Sequence, residues 1–304
     1  MTTWPAYLGL ALEGRLARRA ELARQMLGAC HLCPRGCGVD RLRGERGYCQ
    51  AGLLARIASV GPHYGEERVL VGWGGSGTIF FSHCSLGCVF CQNHDISQGG
   101  QGRDVTPAEL AEAMLRLQSM GCHNVNLVTP TQFVPQILGA LDVAARGGLR
   151  LPLVYNCGGY ESAVTLALLN GVVDIYMPDA KFVRRDAAER YAGAPDYAEH
   201  CAAALYEMHS QVGDLEVGSD GLARRGLLVR HLVMPGAVAE AAEVLALLAR
   251  VGPRTCVNVM GQYRPSHRAS ECPGIARCTS REEHTAAVRA ALELGLTCLD
   301  LDSD

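Results

Sequence analysis

Phe81-Ser82-His83-Cys84-Ser85-Leu86-Gly87-Cys88-Val89-Phe90-Cys91-Gln92-Asn93 follows directly on the apolar run from Thr78 to Phe81. Three cysteines at C-x3-C-x2-C spacing therefore leave the end of an expected strand and enter a loop, which is where β/α folds place their chemistry. Thiolates so close in sequence can grip one face of an iron–sulfur cube and leave its fourth iron without a protein ligand. Gly87 is expected to let the backbone turn tightly between them. The same spacing followed by His94 also offers three thiolates and one imidazole to tetrahedral zinc. His83 and His94 flank the triplet and are read as loop histidines or as groups behind the ligands.

Outward from this loop, short apolar runs alternate with helical patterns. The runs are Thr78 to Phe81, Val125 to Val128, Leu151 to Tyr155, Val172 to Met177, Leu227 to Met234 and Cys256 to Val259, with a further one at Thr297 to Leu301. Helical patterns fall at Pro107 to Ser119, Val134 to Ala145, Ser162 to Leu169, Tyr197 to Gln211, Ala239 to Ala249 and Arg281 to Leu294. Strands buried on both faces read as continuous apolar runs, and parallel neighbours need a helical crossover. The pattern predicts a parallel sheet, either a full or partial barrel or an open doubly wound sheet. On the N-terminal side, Pro5 to Leu27 has apolar residues at helical spacing and predicts one amphipathic helix laid on the body as an extra layer. Residues 30 to 75 are rich in Gly, Arg and Cys without a period, predicting a loop-dominated module held by a metal. The expected division is 1–75 for helix and module and 76–304 for the sheet-forming domain.

Composition narrows the classes. Of 304 residues, 48% are hydrophobic and 19% charged, which excludes a disordered chain. Lys+Arg of 28 against Asp+Glu of 31 gives a net charge of −3, without the basic excess of a nucleic-acid binder. No apolar stretch approaches the length of a membrane span, and Glu13 interrupts the place of a signal-peptide core. A cytoplasmic setting is expected, with the 14 cysteines reduced and available to metals.

The triplet in its strand context resembles the signature of the radical S-adenosylmethionine superfamily, and further along the chain is similar to proteins related to pyruvate formate-lyase activating enzyme. The resemblance implies a partial (β/α)6 TIM-like barrel of parallel strands with an N-terminal helix and a cysteine-rich metal-binding module. It implies a [4Fe-4S] cluster on Cys84, Cys88 and Cys91, and S-adenosylmethionine chelated at the open iron. Reductive cleavage would then yield a 5′-deoxyadenosyl radical that abstracts hydrogen. At the second strand end, where relatives carry Gly-Gly-Glu for the methionine amine, this chain has Val128-Thr129-Pro130-Thr131. Thr129, Thr131 or backbone carbonyls are left to meet the amine, unless Thr129 only caps the next helix. By the same resemblance Asn156, Asp179 and Lys181 face the ribose and methionine carboxylate, and Arg230 reaches cofactor or substrate. An acid and a base two residues apart at an apolar strand end are costly to bury unless paired or engaged; a solvated loop bridge is the alternative. Arg230 and His231 must point to opposite faces. Gln262 and Tyr263 are expected substrate contacts.

Cys30, Cys33, Cys37 and Cys49, spaced C-x2-C-x3-C-x11-C, can close a tetrahedral site or hold a second cluster, so zinc and iron–sulfur both stand. The other cysteines are scattered, with Cys272 and Cys278 singled out. The expected activity is that of a radical enzyme supplied by a reducing donor such as flavodoxin or ferredoxin. It acts either on the glycine of a glycyl radical enzyme or on a peptide or small molecule. The alternative of another class is a zinc-stabilised scaffold or interaction protein.

Overall fold

A computed structural model describes residues 4–236 and 239–300. The strands are β1 (Ala55–His63), β2 (Ser76–Phe81), β3 (Arg103–Val105), β4 (Val125–Val128), β5 (Leu153–Cys157), β6 (Ile175–Pro178), β7 (Glu216–Val217), β8 (Ala223–Leu232), β9 (Cys256–Met260) and β10 (Leu299–Asp300). The helices are α1 (Tyr7–Leu12), α2 (Arg15–Gln25), α3 (Arg68–Val71), α4 (His94–Ser97), α5 (Pro107–Ser119), α6 (Val134–Arg146), α7 (Ala163–Leu169), α8 (Arg185–Ala192), α9 (Tyr197–Val212), α10 (Ala239–Val251) and α11 (Arg281–Glu293).

Local chemistry starts several of these on schedule. Thr106 accepts the Glu109 amide while Glu109 reaches back to the Thr106 amide, a capping box that opens α5 with Pro107 at its first turn. Ser280 and Glu283 do the same for α11. In the N-terminal region, Gly14 at φ +68° breaks the expected single helix into α1 and α2, because only a residue without Cβ takes that conformation cheaply. α2 buries Leu16 and Ala23 against α6, as the extra layer.

The sheet is mixed and mostly parallel. β2, β4, β5, β6, β8, β9 and β10 pair parallel in that order, and β1 joins β2 antiparallel with β3 beyond it. The order never reverses from β2 to β10, whereas a doubly wound sheet reverses at its switch point; the architecture is consistent with a partial barrel. β1 was expected as loop. A register shift between Ile57 and Ser59 disrupts its alternation, so only Ala55 and Ile57 are buried along it. Leu301, in the last expected run, lies outside the described residues. Cys256 and Cys298 are paired as a disulfide beside the β9 and β10 pairing, unlike the reduced state expected from the sequence.

α3, between β1 and β2, fills the space under the future site. Its Leu70 packs with Val154, Ile175, Met177, Leu228 and Cys256 on one face of the sheet. The apolar plug closes one end of this space, and the polar residues of the strand C-terminal ends remain open at the other.

Candidate active site

The C-terminal ends of the parallel strands converge on a cavity of about 280 Å³. Cys84, Cys88 and Cys91 line it from the loop after β2, Thr129 from the end of β4, Asn156 from β5, Asp179 and Lys181 from beyond β6, and Arg230 from β8. Gln262 also reaches it, and Phe90, Leu232, Met234 and Met260 supply apolar wall.

Asp179 is the hub. Its Oδ2 accepts from Lys181 Nζ at 2.6 Å and its Oδ1 from Arg230 Nε at 2.9 Å, while Arg230 Nη2 donates to Asn156 Oδ1 at 2.7 Å. Burial opposes ionisation of Asp179, but the charges of Arg230 and Lys181 outweigh it and hold the carboxyl below its usual range. Burial likewise opposes the charge on Lys181, and Asp179 overrides it, raising the ammonium above its ordinary value. The pair is thus engaged at the cavity wall, not a solvated bridge. Alternation along β8 turns His231 away from the cavity, where its Nδ1 meets Ala180 O at 2.7 Å.

The three thiols gather on one side. Burial, then the neighbouring Cys88, pushes Cys84 up; burial pushes Cys88 up to about 11 with Lys181 pulling the other way. The Leu86 amide donates to Cys84 Sγ at 3.3 Å, and Cys91 Sγ lies 3.2 Å from Ser97 Oγ. Cys84 and Cys88, reluctant to ionise alone, suit a cationic group that would hold them as thiolates. Among the described residues, no three His, Cys, Asp or Glu side chains are placed to hold a metal ion as they stand. Gly87 has no positive φ; its need is space, since a Cβ there would stand 2.6 Å from the Tyr48 hydroxyl.

Several expectations need correction. Thr131 is turned from the cavity, its hydroxyl donating to Glu161 Oε1 at 2.6 Å. Thr129 sits at φ +60° and makes no side-chain cap; its amide donates to Asn156 O. Tyr263 is buried, donating to Ile275 O and packing on Phe90, so it is a packing residue. In keeping with their reading as loop histidines and not as ligands, His94 pairs with Asp95 and stacks on His267, and His83 is buried beside the loop; neither lines the cavity. Cys272 is half-buried and Cys278 exposed, both away from the cavity.

Sequence reasoning missed Cys157, which lines the cavity, and Glu66, whose Oε2 lies 3.8 Å from Arg230 Nη1. Burial, opposed by Arg230 and reinforced by Glu67, raises the Glu66 carboxyl. A glutamate in a loop without periodicity carries no signal for this; only the fold brings it beside Arg230 of β8.

The N-terminal thiols also gather. Cys30 and Cys33 are buried, Cys49 half-buried and Cys37 exposed. Burial raises Cys33 to about 12, with Cys49 and Cys30 adding to it, and burial raises Cys49 with Cys30 and Cys37 adding.

These features define a β/α protein with a thiol-flanked, charge-paired cavity at the C-terminal ends of its strands. The family model of the Radical SAM superfamily matches residues 78–264. A protein of Methanocaldococcus jannaschii described as "Uncharacterized protein MJ0674" is 33% identical over 286 residues, covering 91% of this chain and 77% of that protein. The chain belongs to the radical SAM superfamily, whose members are enzymes that typically use a [4Fe-4S] cluster and S-adenosylmethionine and need a reductant. Among the described residues no helix is long and apolar enough to cross a membrane.

Proposed function

We propose that this chain holds a [4Fe-4S] cluster on Cys84, Cys88 and Cys91 and binds S-adenosylmethionine against Thr129, Asn156, Asp179, Lys181 and Arg230. The observation that carries the reading is that all eight residues, drawn from five separate strand ends, line one cavity. A cluster bound there would supply an electron that splits S-adenosylmethionine to methionine and a hydrogen-abstracting 5′-deoxyadenosyl radical. The chain's own residues do the positioning. Lys181 and Arg230 offer cationic donors to a carboxylate, held in place by Asp179. The Thr129 hydroxyl and Asn156 amide offer neutral contacts, and Phe90, Leu232, Met234 and Met260 keep water from the reacting end.

The sheet is read as a partial (β/α)6 barrel of β2, β4, β5, β6, β8 and β9, with β10 added. Cys30, Cys33, Cys37 and Cys49 are read as a second metal site, supported by their spacing and by Cys33 and Cys49, each raised in part by neighbouring thiols of the set. The finer activity is hydrogen abstraction from a glycine of a partner enzyme or from a peptide or small molecule, with a flavodoxin- or ferredoxin-type donor. Co-purification with a glycyl radical enzyme separates these. The decisive experiment is anaerobic reconstitution followed by dithionite: 5′-deoxyadenosine should form, and Cys84→Ala, Cys88→Ala and Cys91→Ala should each abolish it. A reconstituted wild type that forms none, or a cysteine variant at the wild-type rate, overturns the assignment.

A further inference from the structure

The four-cysteine segment touches the Cys84–Cys91 loop through side chains that the cofactor reading does not use. Arg35, between Cys33 and Cys37, donates from Nε to Ser85 O at 2.9 Å and from Nη1 to Gly193 O at 2.7 Å. Its guanidinium lies 3.8 Å from the centre of the Tyr48 ring and 5.4 Å from that of Tyr160. Tyr48 in turn sets its hydroxyl where a Cβ on Gly87 would come within 2.6 Å. Ser85 and Gly87 both lie between Cys84 and Cys88.

A second line runs through Arg41, which is 1% exposed. Its Nη1 donates to Gln132 O at 2.7 Å. Gln132 Nε2 then donates to Ser82 O at 3.1 Å, His83 O at 3.0 Å and Thr129 O at 2.9 Å. Ser82 and His83 are the residues that enter the loop. The loop is also held by backbone bonds from Gly87 N to Ala192 O and Val89 N to Tyr191 O, and by Gln98 Nε2, which donates to Cys88 O at 3.0 Å. Gly193, which Arg35 also holds, follows those two acceptors. Arg35 therefore bridges the loop and the backbone against which it rests.

We propose that the four-cysteine module is a brace for the Cys84–Cys91 loop, with Arg35 and Tyr48 as positioning residues that set where the three thiols stand. The proposal rests on reading that loop as the seat of the cluster. A rigid guanidinium fork fixes two carbonyls at once, and its stacking on Tyr48 makes each hold the other in place. Groups standing behind metal ligands are commonly worth about 10–100-fold in metal affinity.

The test uses the full chain, reconstituted without oxygen. It reads iron loss to a chelator, the electron paramagnetic resonance spectrum of the reduced cluster with and without S-adenosylmethionine, and thermal melting. Arg35→Ala should lose iron about tenfold faster or more and change the spectrum, and Arg35→Lys should restore part of both. Gly87→Ala should loosen the cluster, and adding Tyr48→Phe should return it, because the added methyl then has room. This pair decides the matter even if Arg35→Ala fails to fold. Wild-type iron retention and spectrum in Arg35→Ala overturn the proposal, as does a Gly87→Ala defect that Tyr48→Phe leaves unchanged. A wild type that retains no cluster overturns the cluster reading and this proposal together, and is recognised before any variant is made.

Discussion

Asp179→Ala isolates the electrostatics of the cavity. The substitution removes the one carboxylate that accepts from both Lys181 Nζ and Arg230 Nε, leaving two cations side by side at the end of an apolar strand. Removing one partner of a buried pair costs about 3–5 kcal/mol. The side chains of Asp179 and Arg230 keep 19% and 18% exposure toward the cavity, so water screens part of the charge and the lower end, about 3 kcal/mol, applies. For a chain of this size that lowers Tm by roughly 5 °C. The assay is a thermal melt of the anaerobic protein by circular dichroism, with S-adenosylmethionine affinity measured alongside. Asp179→Ala/Lys181→Met should melt above Asp179→Ala, because one unpaired cation leaves with the anion. If Asp179→Ala melts within about 1 °C of wild type, or the double variant melts lower still, the charge cluster does not hold this wall together.

Glu161, fully buried with Thr131 and Tyr155 hydroxyls donating to it, is raised by burial from 4.5 to about 7. Its protonated form is the one the fold prefers, so its contribution is complete below the unfolded value. It fades as pH rises through about 7, by roughly 3 kcal/mol in all; urea melts should show that slope in wild type and lose it in Glu161→Gln. Arg41→Ala leaves Gly52 O and Gln132 O without their buried charged donor and should cost about 3 kcal/mol in denaturant unfolding; a loss below about 0.5 kcal/mol would show those bonds to be idle. Gly159→Ala combines φ +75° with a Cβ only 2.2 Å from Asp179 O, so it should cost about 2 kcal/mol or more and weaken S-adenosylmethionine binding, checked by melting and equilibrium dialysis.

Much of this protein was legible before any coordinate. Buried parallel strands announce themselves as unbroken apolar runs, which is why Val125–Val128 and the Pro107–Ser119 helix fall where their residues predict. The family resemblance points to Asp179, Lys181 and Arg230 at the strand ends, and the structure brings these three side chains to one cavity. β1 could not be named, because its bulge disrupts the alternation that marks a half-buried strand. Nor could the roles of Thr131 and Tyr263, since a hydroxyl near a strand end reads the same whether it faces a cavity, a buried carboxylate or a backbone carbonyl.

Residue order sufficed for the β/α class, the thiol triplet and the superfamily, because these depend on spacing along the chain. Folding alone decided that Asp179 is shared between two cations, that Glu66 stands by Arg230, and that Arg35 from the four-cysteine segment grips Ser85. Apart from the Asp179–Lys181 bond, these contacts join positions tens to hundreds of residues apart, and no local pattern records which distant partner a side chain will meet.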